Sequence, residues 1–141
     1  MGTINTRISL RSSNTFRNTI SQRHDKTFAV ETRVDTGTRN ITENTSDSPH
    51  TLIDGANYYD SAETGDTANQ VLVFIRNTAS KGKKTITVQF NDGTNRDDVI
   101  LLNSGEFTIF PWKCDAATDD IEVFSNDTDG VKVEYIVSPM Q

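Results

Sequence analysis

The groups in this 141-residue sequence that could do chemistry are one cysteine, two histidines and twenty carboxylates. Cys114 follows Pro111-Trp112-Lys113. A thiol nucleophile needs a base beside it, and both histidines, His24 and His50, lie in the polar first part of the chain. A lone cysteine also excludes an intrachain disulfide. Cys114 therefore reads as a free, partly buried thiol at a strand end. The carboxylates sit beside Gly and Asn, where acids serve turns by local hydrogen bonding. Glycoside hydrolysis would need two of them fixed across a cleft with aromatics near by, and one Trp in a small core leaves little room for that. There is no Gly-rich phosphate loop, no His-Glu-x-x-His, no Gly-x-Ser-x-Gly and no paired-cysteine zinc spacing. The expectation is a protein with no enzymatic activity, no metal and no cofactor.

Two constellations offer hard oxygen ligands of the kind calcium takes. One is Asn126-x-x-Asp129-Gly130; the other is Asn91-Asp92-Gly93 followed by Asp97-Asp98. Neither has the spacing of a helix-loop-helix calcium site, and turn chemistry accounts for both. Tyr58, Tyr59 and Trp112 would suit a sugar-stacking platform. A Trp beside a proline at a strand end more often closes a core. Asn40, Asn44 and Asn126 each begin an Asn-x-Ser/Thr triplet, which chance supplies in a chain rich in Asn and Thr.

Positive charge is concentrated at the start. Residues 1–26 hold five bases, Arg7, Arg11, Arg17, Arg23 and Lys26, against Asp25 alone, a balance of +4. The remaining nine bases face nineteen acids, a balance of −10. Apolar residues are scarce at 33%, and residues 1–50 offer few large ones beyond Ile4, Ile8, Leu10, Phe16, Ile20, Phe28, Val30, Val34 and Ile41. So polar a segment cannot bury enough area to offset its ordering entropy. Residues 1–50 are thus predicted to be a basic arm with one or two strands, and residues 51–141 the body. The arm should order against a partner or sister subunit. Its contact residues would be Arg7, Arg11, Arg17, Arg23 and Lys26, with Ile4, Ile8, Leu10 and Phe16. Nucleic acid is not the expected partner, because phosphate repels so negative a body. No apolar run approaches the roughly 20 residues that cross a bilayer, and the N-terminus lacks an apolar signal region. The expectation is a protein that folds in a cytoplasm and does not engage a membrane.

The elements that would hold these residues are strands. Residues 3–10 alternate, as do residues 27–34, with Asp35-Thr36-Gly37 ending the second run; residues 38–50 read as a loop. A short strand at 51–53 is followed by a long loop over 56–69. The run 71–76 is apolar at nearly every position, which fits a central strand covered on both faces. Lys81-Gly82-Lys83 is expected to close a hairpin into 85–90, and Asn91-Asp92-Gly93-Thr94 to close the next. Strands follow at 99–102, 107–110, 121–124 and 131–137, with Asn103-Ser104-Gly105 as a tight turn and Pro111 as a strand end. Six strands in about 67 residues describe an all-β, antiparallel β-sandwich, Ig-like or jelly-roll.

Three stretches carry a resemblance. They are Val71-Leu72-Val73-Phe74-Ile75-Arg76-Asn77-Thr78, Leu101-Leu102-Asn103-Ser104-Gly105-Glu106-Phe107 and Val133-Glu134-Tyr135-Ile136-Val137. Together they resemble small virion proteins of tailed bacteriophages, notably those of marine hosts, over residues 70–138. The resemblance implies a β-sandwich that coats or joins parts of a virion, assembled in the host cytoplasm. Its partners would be the major capsid protein or other virion subunits, and copies of itself, with a trimer suggested by local capsid symmetry. A capsid decoration (cement) protein is the leading expectation. A neck or tail accessory subunit and a host-recognition carbohydrate-binding module are the alternatives. In the local chemistry, Asn77 would cap a strand, Gly105 permit a tight turn, Glu106 accept hydrogen bonds from it, and Tyr135 bury its ring with the hydroxyl at the rim.

Overall fold

A two-residue apolar period puts alternate side chains on one face of a strand, and that period dominates this chain. The computed structural model describes residues 2–11, 21–30, 34–80 and 82–140, with side chains in the first two strands limited to residues 3–7 and 25–27. The strands are β1 (Gly2–Arg11), β2 (Ser21–Val30), β3 (Asp35–Ile41), β4 (His50–Asp54), β5 (Gln70–Asn77), β6 (Ile86–Asn91), β7 (Arg96–Leu102), β8 (Phe107–Lys113), β9 (Asp120–Ser125) and β10 (Val131–Pro139). One 3-10 turn, Gly55–Asn57, follows β4. β1 and β2 form a two-stranded sheet of their own. The other eight build two four-stranded antiparallel sheets, ordered β3-β10-β5-β8 and β4-β9-β6-β7. From β3 onward the chain changes sheet at every connection except β6–β7. Eight strands wound this way form a jelly roll. The seven or nine strands of an immunoglobulin fold divide between their two sheets in a different order.

The core is what the alternation dictates. Val71, Val73 and Ile75 of β5 and Val131, Val133 and Val137 of β10 are buried with Ile86 and Val88 of β6 and Ile121 and Val123 of β9. Each such side chain contributes about 1.5–3 kcal/mol on burial. β5 is central, between β10 and β8, as its apolar run predicts, but its outer face is covered at Leu72 and not at Phe74, which is half-buried, or Arg76, which is exposed.

Four local expectations are corrected. Residues 35–41, read as a strand end and a loop, form β3. It is an edge strand whose Thr38, Arg39 and Asn40 are exposed and whose Ile41 alone is buried, so its sequence shows no period. Pro111 does not end β8, which runs on to Lys113. β8 is an edge strand, where a residue without an N–H is tolerated on the open side. The hairpin expected at Lys81-Gly82-Lys83 is not formed: β5 and β6 belong to different sheets, because their apolar faces must meet in one core. Finally, β2 begins at Ser21, earlier than the predicted start at 27, because its polar residues pair with β1. Residues 31–33 of that predicted strand, and the helical turn suggested by Phe16 and Ile20, lie outside the described residues.

Candidate functional site

The N-terminal contact residues converge on one ribbon. The register of β1 and β2 runs without a shift from Gly2↔Val30 to Arg11↔Ser21. Ten residues at roughly 3.4 Å each give a hairpin about 34 Å long. A lone two-stranded hairpin is marginal in water, so this one gains from a surface to lie on. Thr27 Oγ1 donates to Asn5 Oδ1 at 2.7 Å and Thr6 Oγ1 to the Lys26 carbonyl at 3.2 Å. Arg7 Nε meets Asp25 Oδ1 at 3.0 Å, so the one acid of residues 1–26 sits directly across from a base. Arg7 and Lys26 are exposed and Ile4 is half-buried. Ile8, Leu10, Arg11 and Arg23 hold backbone positions opposite His24, Gln22, Ser21 and Ser9. Their side chains, and Phe16 and Arg17 altogether, lie outside the described residues. Among the described residues β1 and β2 are hydrogen-bonded as strands only to each other, which leaves an outer edge on each.

The two outer faces of the sandwich differ. On the first sheet Ile109, Phe74, Ile136 and Thr36 stand in register across all four strands. Phe107 is 61% exposed and its ring lies 5.8 Å from that of Phe74. This apolar strip was not legible as a surface, because the same residues read as core until the facing of each strand is known. The outer face of the second sheet is mixed: Phe124, Thr87 and Leu101 stand in register, with Leu101 58% exposed, beside a polar row. Glu122 is nearly buried there, taking Arg96 Nε at 2.7 Å and Asn91 Nδ2 at 3.1 Å. That hydrogen bond and charge raise the Arg96 pKa further.

The groups considered for chemistry are tied into the fold. Cys114 is fully buried, its Sγ 3.1 Å from the Ala116 carbonyl; burial, then Asp119, pushes its pKa up to about 11. Trp112 is 8% exposed in the core, with Tyr58 and Tyr59 packed against the same cluster. The Tyr58 hydroxyl donates to Asp35 Oδ2 at 2.7 Å. These three aromatics therefore do not make an open platform. Asp92 accepts from the Thr94 and Asn95 amides, and Asp127 from Asp129 N and, at 2.8 Å, Lys84 Nζ. Among the described residues no three His, Cys, Asp or Glu side chains are grouped to hold a metal ion. Glu106 takes the Asn103 amide at 2.8 Å and Gly105 has φ +83°, the roles expected in that turn. Asn77 does more than cap its strand: its side chain bonds to Lys84 and Leu102 carbonyls beyond it.

No protein-family model matches this chain, and no match is found among curated proteins or solved structures. The geometry alone carries the functional reading.

Proposed function

We propose that the protein is a non-enzymatic structural component of a virion, a decoration protein that binds and stabilises a phage head. The observation that carries this reading is a basic hairpin with its own two-stranded sheet attached to an acidic jelly roll. Jelly rolls serve repeatedly as virion building blocks. A hairpin with two free edges can extend a neighbour's sheet by strand addition, while its arginines meet acidic surfaces. Binding in many copies sums weak contacts through avidity, and a homo-oligomer, such as a trimer at a local capsid axis, follows the same logic. The major capsid protein is the proposed partner, and the host cytoplasm the place of assembly. A neck or tail accessory role would use the same surfaces. The glycan-binding alternative is weakened by the burial of Trp112. The test is deletion of residues 1–26. The shortened protein should stay folded and fail to join particles; incorporation at the normal level would sink the reading.

A further inference from the structure

The first sheet and the hairpin each leave an apolar face without a covering layer. On the sheet, Ile109, Phe74 and Ile136 stand in one row across β8, β5 and β10, outside the core cluster. Ile136 is 37% exposed and Phe107, beside Phe74, 61%. A groove of ≈ 270 Å³ lies along the row, with Thr36, Thr38, Phe74 and Ile136 among its walls. Contiguous exposed apolar side chains of this kind mark docking surfaces. In the hairpin, side chains alternate between two faces, and the unshifted register sets which residues share one. Ile4, Ile8 and Leu10 of β1 hold the same face as Phe28 and Val30 of β2. Where side chains are described, Ile4 and Thr6 on that face are half-buried, whereas Thr3, Asn5 and Arg7 on the other are exposed. The exposed face satisfies itself, through the Thr27–Asn5 hydrogen bond and the Arg7–Asp25 ion pair. Only the apolar face asks for a partner.

We infer that the outer face of the first sheet receives the apolar face of the N-terminal hairpin of a second copy of the chain, as a third layer on the sandwich. A two-stranded hairpin needs such packing to be stable, and two apolar faces brought together bury each other. The occupant is a second copy because one chain does not fill the surface with its own hairpin. Among the described residues no strand of the sandwich packs along β1 or β2, and Phe107 and Ile136 stay exposed. Reach favours a neighbour as well. At about 4.8 Å between strands the first sheet is only about 14 Å across, whereas the hairpin that leads into its edge strand β3 is about 34 Å long. Charge assists the approach, since the +4 of residues 1–26 meets the −10 of the rest of the neighbour. Strand addition would use the edges of the hairpin and this contact uses its face, so the two are compatible.

This contact rests on the reading of the N-terminal segment as a docking arm, and the two can fail separately. The experiment compares the full-length chain with F107E/I136E and I4E by light scattering across concentration, with thermal melting alongside. Wild type should self-associate, and the association should hold or strengthen in sulfate, as apolar burial does. Each variant should associate at least about tenfold more weakly. Phe107→Ser, at the most exposed position of the strip, gives the same reading if F107E/I136E melts early. Cysteine pairs then locate the contact, because Cys114 is buried and the introduced thiols report alone. Oxidising a mixture of Ile4→Cys and Ile136→Cys chains should link two copies. Asn5→Cys, on the other face of the hairpin, should not link to Ile136→Cys. A wild-type chain that stays monomeric at all concentrations would overturn the inference, as would full association by F107E/I136E and Phe107→Ser. So would an Ile4→Cys/Ile136→Cys double variant that closes into a disulfide-bonded monomer, which would seat the hairpin on its own sheet. In each of these cases the docking-arm reading stands if deletion of residues 1–26 still blocks incorporation into particles. Normal incorporation of that deletion removes the docking-arm reading, while loss of self-association by the same variant would still support the contact between copies.

Discussion

Asn77→Ala is expected to be among the most damaging single substitutions in the sandwich. Asn77 is 0% exposed at the end of β5. Its Nδ2 donates to the Lys84 carbonyl at 3.0 Å and the Leu102 carbonyl at 3.1 Å, and its Oδ1 accepts from Ala79 N at 3.0 Å. Leu102 ends a strand of the other sheet, so one side chain ties the two sheets together. Alanine would strand the buried Leu102 carbonyl, at about 1–3 kcal/mol, and loosen two partly buried groups at about 0.5–1 kcal/mol each. A total near 3 kcal/mol is a large part of the roughly 5–15 kcal/mol that holds a domain together. Urea unfolding followed by Trp112 fluorescence reads it, since that indole is buried in the core. With an m-value near 1.5 kcal/mol/M, the midpoint should fall by about 2 M with m unchanged. Asn77→Asp separates shape from hydrogen bonding. It keeps the acceptor for Ala79 but turns an oxygen toward two carbonyls, which raises the folded-state pKa of the new acid. It should therefore be worst at neutral pH and recover as pH falls through that raised value toward the ordinary carboxylate range, where the recovery is complete. A loss under about 0.5 kcal/mol for Asn77→Ala, or an Asn77→Asp protein as stable as wild type at pH 7, would refute the clasp.

Gly37→Ala should cost about 1–3 kcal/mol, because its Cβ would stand 2.5 Å from the Tyr135 ring; Tyr135→Leu should then cost less in that background than alone, and equal costs in urea unfolding would remove the contact as the cause. Cys114 should resist a thiol reagent in the native protein and react only as fast as the sandwich opens, given its burial and raised pKa; rapid labelling under native conditions would contradict the buried position. Acid should destabilise the fold through Glu43, Asp92 and Asp127. Backbone hydrogen bonds hold the first two low, and the Lys84 hydrogen bond the third. Their contribution is present above the ordinary values of 4.5 and 3.8 and is lost as pH falls through the lower folded-state values. Asp120, raised chiefly by burial, acts in the opposite sense, so Asp127→Asn should flatten the acid limb of a melting-versus-pH curve and Asp120→Asn should not.

Most of the sandwich was legible because its inner strands obey the two-residue period and its turns use the residues that positive φ demands. The runs at 71–76, 121–124 and 131–137 each fall within a strand of the fold, and the run at 85–90 does so from Ile86. Gly93 and Gly105 adopt φ +84° and +83° in the predicted turns. What failed were edges and partners. β3 has one buried side chain, so burial wrote almost nothing into its sequence. Pro111 looks like a terminator when only the local rule is applied, but the position of β8 at an edge removes the objection. The sheet to which a strand belongs is a long-range fact, which is why the β5–β6 crossing was read as a hairpin. The cleft bounded by Ser46, Gln89, Arg96, Asp97 and Asp98 was invisible for the same reason: its residues come from one loop, from β6 and from β7, and no spacing links them.

The edges of the sandwich also bear on how it could join a neighbour. An open edge strand invites pairing unless something blunts it. β8 carries Pro111 in mid-strand. β7 has a register shift opposite Val88 and Gln89, and its exposed first half is Arg96-Asp97-Asp98. β4 is five residues long and shifts register between Thr51 and Ile53. A bulge or a charge at an edge disfavours strand addition. β3 and β8 both keep an unbroken register of seven residues, but β3, from Asp35 to Ile41, carries no proline, and it is the strand into which the hairpin leads. The unguarded edges thus lie together: β3, and the outer sides of β1 and β2. That distribution is the one expected if strand addition is to occur at the arm and nowhere else on the body. An Arg39→Pro substitution on β3 tests it: if added strands seat there, particle binding should fall while the core, which meets β3 only at its margin, keeps most of its stability. Unchanged binding would confine strand addition to the hairpin itself.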